Sequence, residues 1–129
     1  MNHDWLRSHG AIPVTYGDGV ADRIRAAAPA VDAFIDTYGP EYVHLAFSLG
    51  VDPSRVDTIV YFDGVEQLGV KTDGNMAGGS ASTLAQLAAL IAAGELEVPI
   101  AATFPLSQVQ DAYRQLELGH IRGKIVLIP

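Results

Sequence analysis

Two carboxylates, Asp36 and Asp63, close apolar stretches of this 129-residue chain, and Tyr38, Tyr61 and Phe62 stand beside them in sequence, with Met76 further on. A carboxyl group set among aromatic and apolar side chains can act as a general acid or base on a small apolar molecule. The four histidines, His3, His9, His44 and His120, show no i, i+4 pairing and no adjacent carboxylate motif, so a metal site is not indicated. There is no cysteine, which excludes disulfides, thiol nucleophiles and thiolate zinc sites. No Gly-x-Ser-x-Gly elbow is present. Gly74-Asn-Met-Ala-Gly-Gly-Ser80 is glycine-rich ahead of a helix. It lacks the Lys-Ser/Thr ending of a phosphate loop and reads as a plain loop, or as a lid.

Alternating elements must position these groups. Asn2 can cap a short helix stopped by Gly10. Ile12–Tyr16 reads as a strand, with Pro13 pushing it to an edge. Asp18 can cap a helix over Val20–Ala28, and Val31–Thr37 reads as the next strand. A helix with Pro40 in its first turn runs to Leu49, followed by a strand over Val56–Phe62 rich in β-branched and aromatic residues. Asp63–Ser80 reads as irregular, with Gly69–Thr72 extended. Thr83 with Gln86, and Ser107 with Gln110, have capping-box spacing for two further helices. Pro99–Phe104 and Lys124–Ile128 read as strands. Such alternation predicts a single α/β domain over residues 1–129 with a parallel sheet.

Charge and hydropathy narrow the class. Fifteen acidic against eight basic residues give a net charge of −7, unsuited to nucleic acid or an anionic membrane surface. No basic start and apolar core marks a signal peptide, and Leu84–Ala93 is too short to span a bilayer. A cytoplasmic protein is expected.

Four segments in order, Leu6–Ala11, Val31–Thr37, Glu95-Leu-Glu-Val-Pro-Ile100 and Pro105–Pro129, resemble the C-terminal part of the medium-chain dehydrogenase/reductase superfamily. The resemblance is to its zinc-free, quinone-oxidoreductase-like, NADP-dependent branch. It implies a truncated Rossmann-like parallel sheet in which Ile12–Tyr16, Val31–Thr37, Val56–Phe62 and Lys124–Ile128 stand for strands 3, 4, 5 and 6. Strands 1 and 2, the Gly-x-Gly-x-x-Gly turn and the N-terminal catalytic domain have no counterpart in the chain. Strand 3 is then expected to close up against strand 4, giving the order 3-4-5-6 with helices mainly on one face and the other face bare.

The same resemblance implies NADPH as cofactor, with Tyr16 near its adenosine end. Asp36, Thr37, Tyr38, Gly39 and Phe62 would lie on its nicotinamide side. Residues 36–39 equally read as a strand-to-helix turn with Gly39 at the N-cap. The implied activity is quinone or enone reduction, with the chain inactive in isolation unless another polypeptide supplies the missing half. No zinc is implied. A homodimer is expected through the Lys124–Ile128 edge, the bare sheet face, or both. The alternatives are a standalone binder, isomerase or cyclase for a small apolar ligand, and a dimeric interaction module.

Overall fold

The computed structural model describes residues 2–76 and 78–129, with the side chains of Asn75 and Met76 outside that description. The class is mixed α/β, built from small parallel sheets and helices as in a truncated Rossmann-like domain. In chain order the elements are α1 (His3–Ser8), α2 (Val20–Ala27), β1 (Phe34–Asp36), α3 (Pro40–Ser48), β2 (Val56–Thr58), α4 (Asp63–Leu68), α5 (Asp73–Met76), α6 (Ala81–Ala92), β3 (Ile100–Pro105), α7 (Val109–Glu117) and β4 (Lys124–Ile128). They fall into two compact units. One is Ala11–Leu84; the other joins the residues through Gly10 to Ala85–Pro129.

In the first unit β1 and β2 pair in parallel, Phe34 opposite Val56 and Asp36 opposite Thr58. Lys71 adds a parallel bridge to Asp57, which realises the extended piece expected at Gly69–Thr72. Helix α3 closes the packed face. Its Val43 and Ala46 meet Val51, Val56 and Val70 in a small core, with Phe34, Tyr61 and Val65 packed against it. Pro40 opens α3 because its missing N–H is one the first turn leaves unpaired in any case. In the second unit β3 and β4 pair in parallel, with α7 connecting them and packing on both.

Several expectations are corrected. Ile12–Tyr16 is not a strand: it is a loop with Ile12 largely exposed, and Pro13 withholds the amide a ladder would need. Lys124–Ile128 pairs with Ile100–Pro105, so a single sheet in the order 3-4-5-6 is replaced by two parallel pairs. The strands expected over 31–37 and 56–62 shrink to three residues each, because Asp36 and Thr58 turn the backbone at their ends. Asp63–Ser80 is not irregular throughout, since it carries α4 and α5.

Caps differ too. Gly19, in the left-handed region, precedes α2 where Asp18 was expected to cap it. Ser80 rather than Thr83 caps α6, its Oγ accepting from the Thr83 amide at 3.1 Å. A 3-10 turn at Leu106–Gln108 leads into α7 where the second capping box was expected.

Candidate functional site

The carboxyl ends of β1 and β2 lie side by side, where open α/β sheets place their ligands. Asp36, the last residue of β1, is buried. Its Oδ1 accepts from the amides of Tyr38 at 2.9 Å and Gly39 at 3.0 Å. Its Oδ2 accepts from the Thr58 hydroxyl at 2.7 Å. Thr58 Oγ1 in turn accepts from the amides of Tyr61 at 3.1 Å and Val60 at 3.3 Å. One carboxylate and one hydroxyl thus fold both strand-end turns. Because each Asp36 oxygen already accepts a hydrogen bond in a closed environment, the residue holds the turn together.

The turn presents aromatic surface. Tyr38 is 73% exposed and meets Tyr42 edge-to-face with ring centroids 5.2 Å apart. Phe62, at the N-terminal cap of α4, is 55% exposed, and Thr37 is exposed as well. Gly39 is buried, and a β-carbon there would lie 3.2 Å from Glu41 Oε2, so the first turn of α3 carries a carboxylate over its own N-terminus. Tyr61 is half-buried against the core, and a β-carbon on Gly64 would lie 2.7 Å from its ring. It is therefore a packing residue and not a pocket wall. Asp63 is exposed in the first turn of α4. The side chain of Met76, expected to join this group, lies outside the described residues.

Tyr16 belongs to a separate loop of the same unit. The Arg23 guanidinium gathers that loop, donating to the carbonyls of Thr15 at 2.9 Å, Asp18 at 2.8 Å, Gly17 at 3.2 Å and Tyr16 at 3.3 Å. Between this loop and α3 is a cavity of about 370 Å³, lined by Gly17, Val20, Glu41, Tyr42 and Leu45. Sequence reasoning passed over Thr58, Arg23 and Glu41. A threonine two residues past a β-branched strand start carries no local mark of its partner 22 residues away.

These observations test the groups the resemblance implies. The amides of Tyr38 and Gly39 are occupied by Asp36, Arg23 is occupied by carbonyls, and Glu41 puts negative charge at the helix start. The corner therefore does not fit a pyrophosphate, which needs free amides or cations. Tyr38 and Phe62 are exposed, Tyr38 packed edge-to-face on Tyr42. For zinc the residues do not fit: the chain has no cysteine, and among the described residues no group of three His, Asp or Glu side chains could hold a metal ion. Nor is any described helix long and apolar enough to cross a membrane.

Parallel strand pairs joined through helices are those of a truncated Rossmann-like domain. Residues 10–127 match the family of zinc-binding dehydrogenases, and the chain belongs to that family as a medium-chain dehydrogenase/reductase-like C-terminal domain of the NAD(P)-binding type. No curated protein matches the chain.

Proposed function

We propose that these residues form the nicotinamide-side part of an NAD(P)H-dependent quinone or enone oxidoreductase, and that by themselves they do not carry out the reduction. The observation that carries this reading is the strand-end corner. Its hydrogen-bonding groups are used internally, and what it offers outward is the aromatic surface of Tyr38 and Phe62. The family match supports it. Bound NADPH would supply a hydride; the part of this chain is to hold the ring against an apolar surface and keep water from it. The 129 residues contain no Gly-x-Gly-x-x-Gly turn, so the phosphates need donors that this corner does not offer.

Amide chemical shifts test the assignment. Reduced nicotinamide mononucleotide is expected to move Thr37, Tyr38, Gly39 and Phe62 at millimolar concentration, while adenosine 2′,5′-bisphosphate moves none of them. Turnover of NADPH with a quinone by the 129-residue protein would sink the second half of the proposal. Unmoved strand-end amides would sink the first.

A second reading, binding of a small apolar molecule, is favoured by the cavity beside α3, whose Val20, Tyr42 and Leu45 are suited to such a guest. In that reading the carboxylate at hand is Glu41, not Asp36 or Asp63.

A further inference from the structure

Register sets Ile35, Asp57 and Lys71 side by side across three extended segments of the Ala11–Leu84 unit. All three line a cavity of about 300 Å³, together with Phe34, Arg55 and Asp73. That volume is at the lower end of the range for small-molecule sites. Ile35 is 74% exposed, and Phe34 is partly buried.

Four charged side chains share this space without pairing. Asp57 and Lys71 are cross-strand neighbours, the arrangement in which opposite charges ordinarily attract one another. Yet no ion pair joins Arg55, Asp57, Lys71 and Asp73 among the described residues, whose pairs are Arg7–Asp4, His9–Glu97, Arg25–Asp22 and Arg114–Asp111. Arg55 donates from Nε to the Asp32 carbonyl, and its terminal nitrogens make no hydrogen bond among the described residues. Asp52, which feels the Arg55 charge, is already held by the Ser54 amide at 2.9 Å and hydroxyl at 2.6 Å. An anion alone would meet Asp57 and Asp73, and a cation alone would meet Arg55 and Lys71. A singly charged guest therefore loses to one pair what it gains from the other. A guest with both charges on one short frame gains from both. The Arg55 guanidinium can take a carboxylate through two parallel N–H donors, and the exposed Asp73 can accept from an ammonium.

We propose that this cavity binds a small zwitterion of the α-amino acid class. Its carboxylate lies on Arg55 and Lys71, its ammonium on the side of Asp57 and Asp73, and an apolar side chain rests against Ile35. The cavity is lined by the first two residues of β1 and of β2, and not by the strand-end residues Asp36 and Thr58. The proposal therefore does not rest on the function proposed above.

Titration of the full chain with L-leucine, followed by amide and methyl chemical shifts, tests it. Saturable shifts are expected at Ile35, Arg55, Asp57 and Lys71. Two analogues each lack one charge: isocaproate has no ammonium, and isopentylamine has no carboxylate. Each is expected to bind about tenfold more weakly than leucine, or worse. Lys71→Gln is expected to weaken leucine and isocaproate several-fold and to leave the amine no weaker. Asp73→Asn is expected to weaken leucine and the amine and to leave isocaproate no weaker. A general loss of folding would not produce that crossed pattern, and the wild-type series stands without either variant. No saturable shift at these residues overturns the proposal. So does an analogue that binds as tightly as leucine, which would make the cavity an apolar or singly charged site. Variants that weaken all three compounds alike overturn the assignment of the two charges.

Discussion

Thr58 Oγ1 donates to Asp36 Oδ2 at 2.7 Å inside the Ala11–Leu84 unit, and this contact joins the ends of two neighbouring strands. Around it, three backbone amides within 3.1 Å, those of Tyr38, Gly39 and Tyr61, point at the two side chains. Both side chains are buried, so removing either leaves buried or part-buried polar groups unpaired. Asp36→Ala strands the Thr58 hydroxyl and two amides, and is expected to cost about 3 kcal/mol or more. Thr58→Val keeps the volume but strands an Asp36 oxygen and the amides of Val60 and Tyr61, and is expected to cost about 2 to 3 kcal/mol. Urea denaturation of both single variants and the double variant checks this. The pair should couple strongly, with the double costing clearly less than the sum. An additive result would mean that the two side chains act independently.

Arg23 does for the Tyr16 loop what Asp36 does for the strand ends, but from the surface. A single planar guanidinium satisfies four consecutive carbonyls, from Thr15 to Asp18. Because the group is exposed, Arg23→Ala is expected to leave global stability within about 1 kcal/mol of wild type. Local order should change more. Hydrogen exchange across residues 15–20 is expected to speed up several-fold in Arg23→Ala. Arg23→Lys should not restore it, since an ammonium cannot span the same four acceptors with fixed geometry. Full protection in the lysine variant would show that charge alone orders the loop.

The contrast between these two clusters explains what the chain discloses when read as letters. Helix α3 was legible because its signals are local: Pro40 in the first turn, and Gly50 after the end with a φ of 84°. Gly10 and Gly119 punctuate in the same way, both at positive φ. The strand-to-helix turn at Asp36–Gly39 was legible as well, from the end of the apolar run and the proline that follows it; Phe62, expected at a strand end, instead precedes α4 four residues beyond the last residue of β2. What escaped was whatever depends on a distant partner. The end of β1 is set by Thr58, the loop at Ile12–Tyr16 by Arg23 and Pro13, and the partner of Lys124–Ile128 is Ile100–Pro105. Hydrophobic pattern marks a segment that suits a sheet; it does not name the neighbour.

Gly123 is the glycine on which the β3–β4 pair depends. Its φ is 111°, and a β-carbon there would fall 2.4 Å from the Pro99 carbonyl oxygen, a backbone atom with no rotamer to yield. The next amide, Lys124, donates to that same carbonyl at 2.8 Å, so relieving the clash means breaking the bond that starts the pair. Gly123→Ala is expected to destabilise this unit by about 2 kcal/mol or more. Trp5 is the only tryptophan and has the neighbouring Arg122 guanidinium 5.8 Å from its ring centroid, so its fluorescence reports on the site. In the variant, the Trp5 transition should move to lower denaturant. An unmoved midpoint would mean that the Pro99 turn shifts freely.

His9 gives the second unit a pH dependence whose sign is fixed by geometry. Its Nδ1 lies 2.8 Å from the Trp5 carbonyl and its Nε2 lies 3.1 Å from Glu97 Oε2, while its ring is 4.3 Å from that of Trp5. Both partners accept only, and just one ring nitrogen of a neutral imidazole carries a proton, so the imidazolium alone satisfies both. The Trp5 carbonyl is the largest cause raising the pKa above 6.5; Glu97 raises it further, against solvent exclusion and the positive charge of Arg122. A raised folded value means that the stabilisation is complete below the unfolded pKa of 6.5 and is lost as pH climbs through the folded one. Side chains 44% and 57% exposed keep the effect modest. Proton NMR of the His9 ring is expected to give a midpoint above 6.5 that falls in Glu97→Gln. The stability difference between wild type and His9→Gln should shrink between about pH 6 and pH 8. A midpoint indifferent to Glu97→Gln would mean that the carboxylate does not hold the ring in solution, and α1 would then be joined to this unit through Trp5 and Arg122.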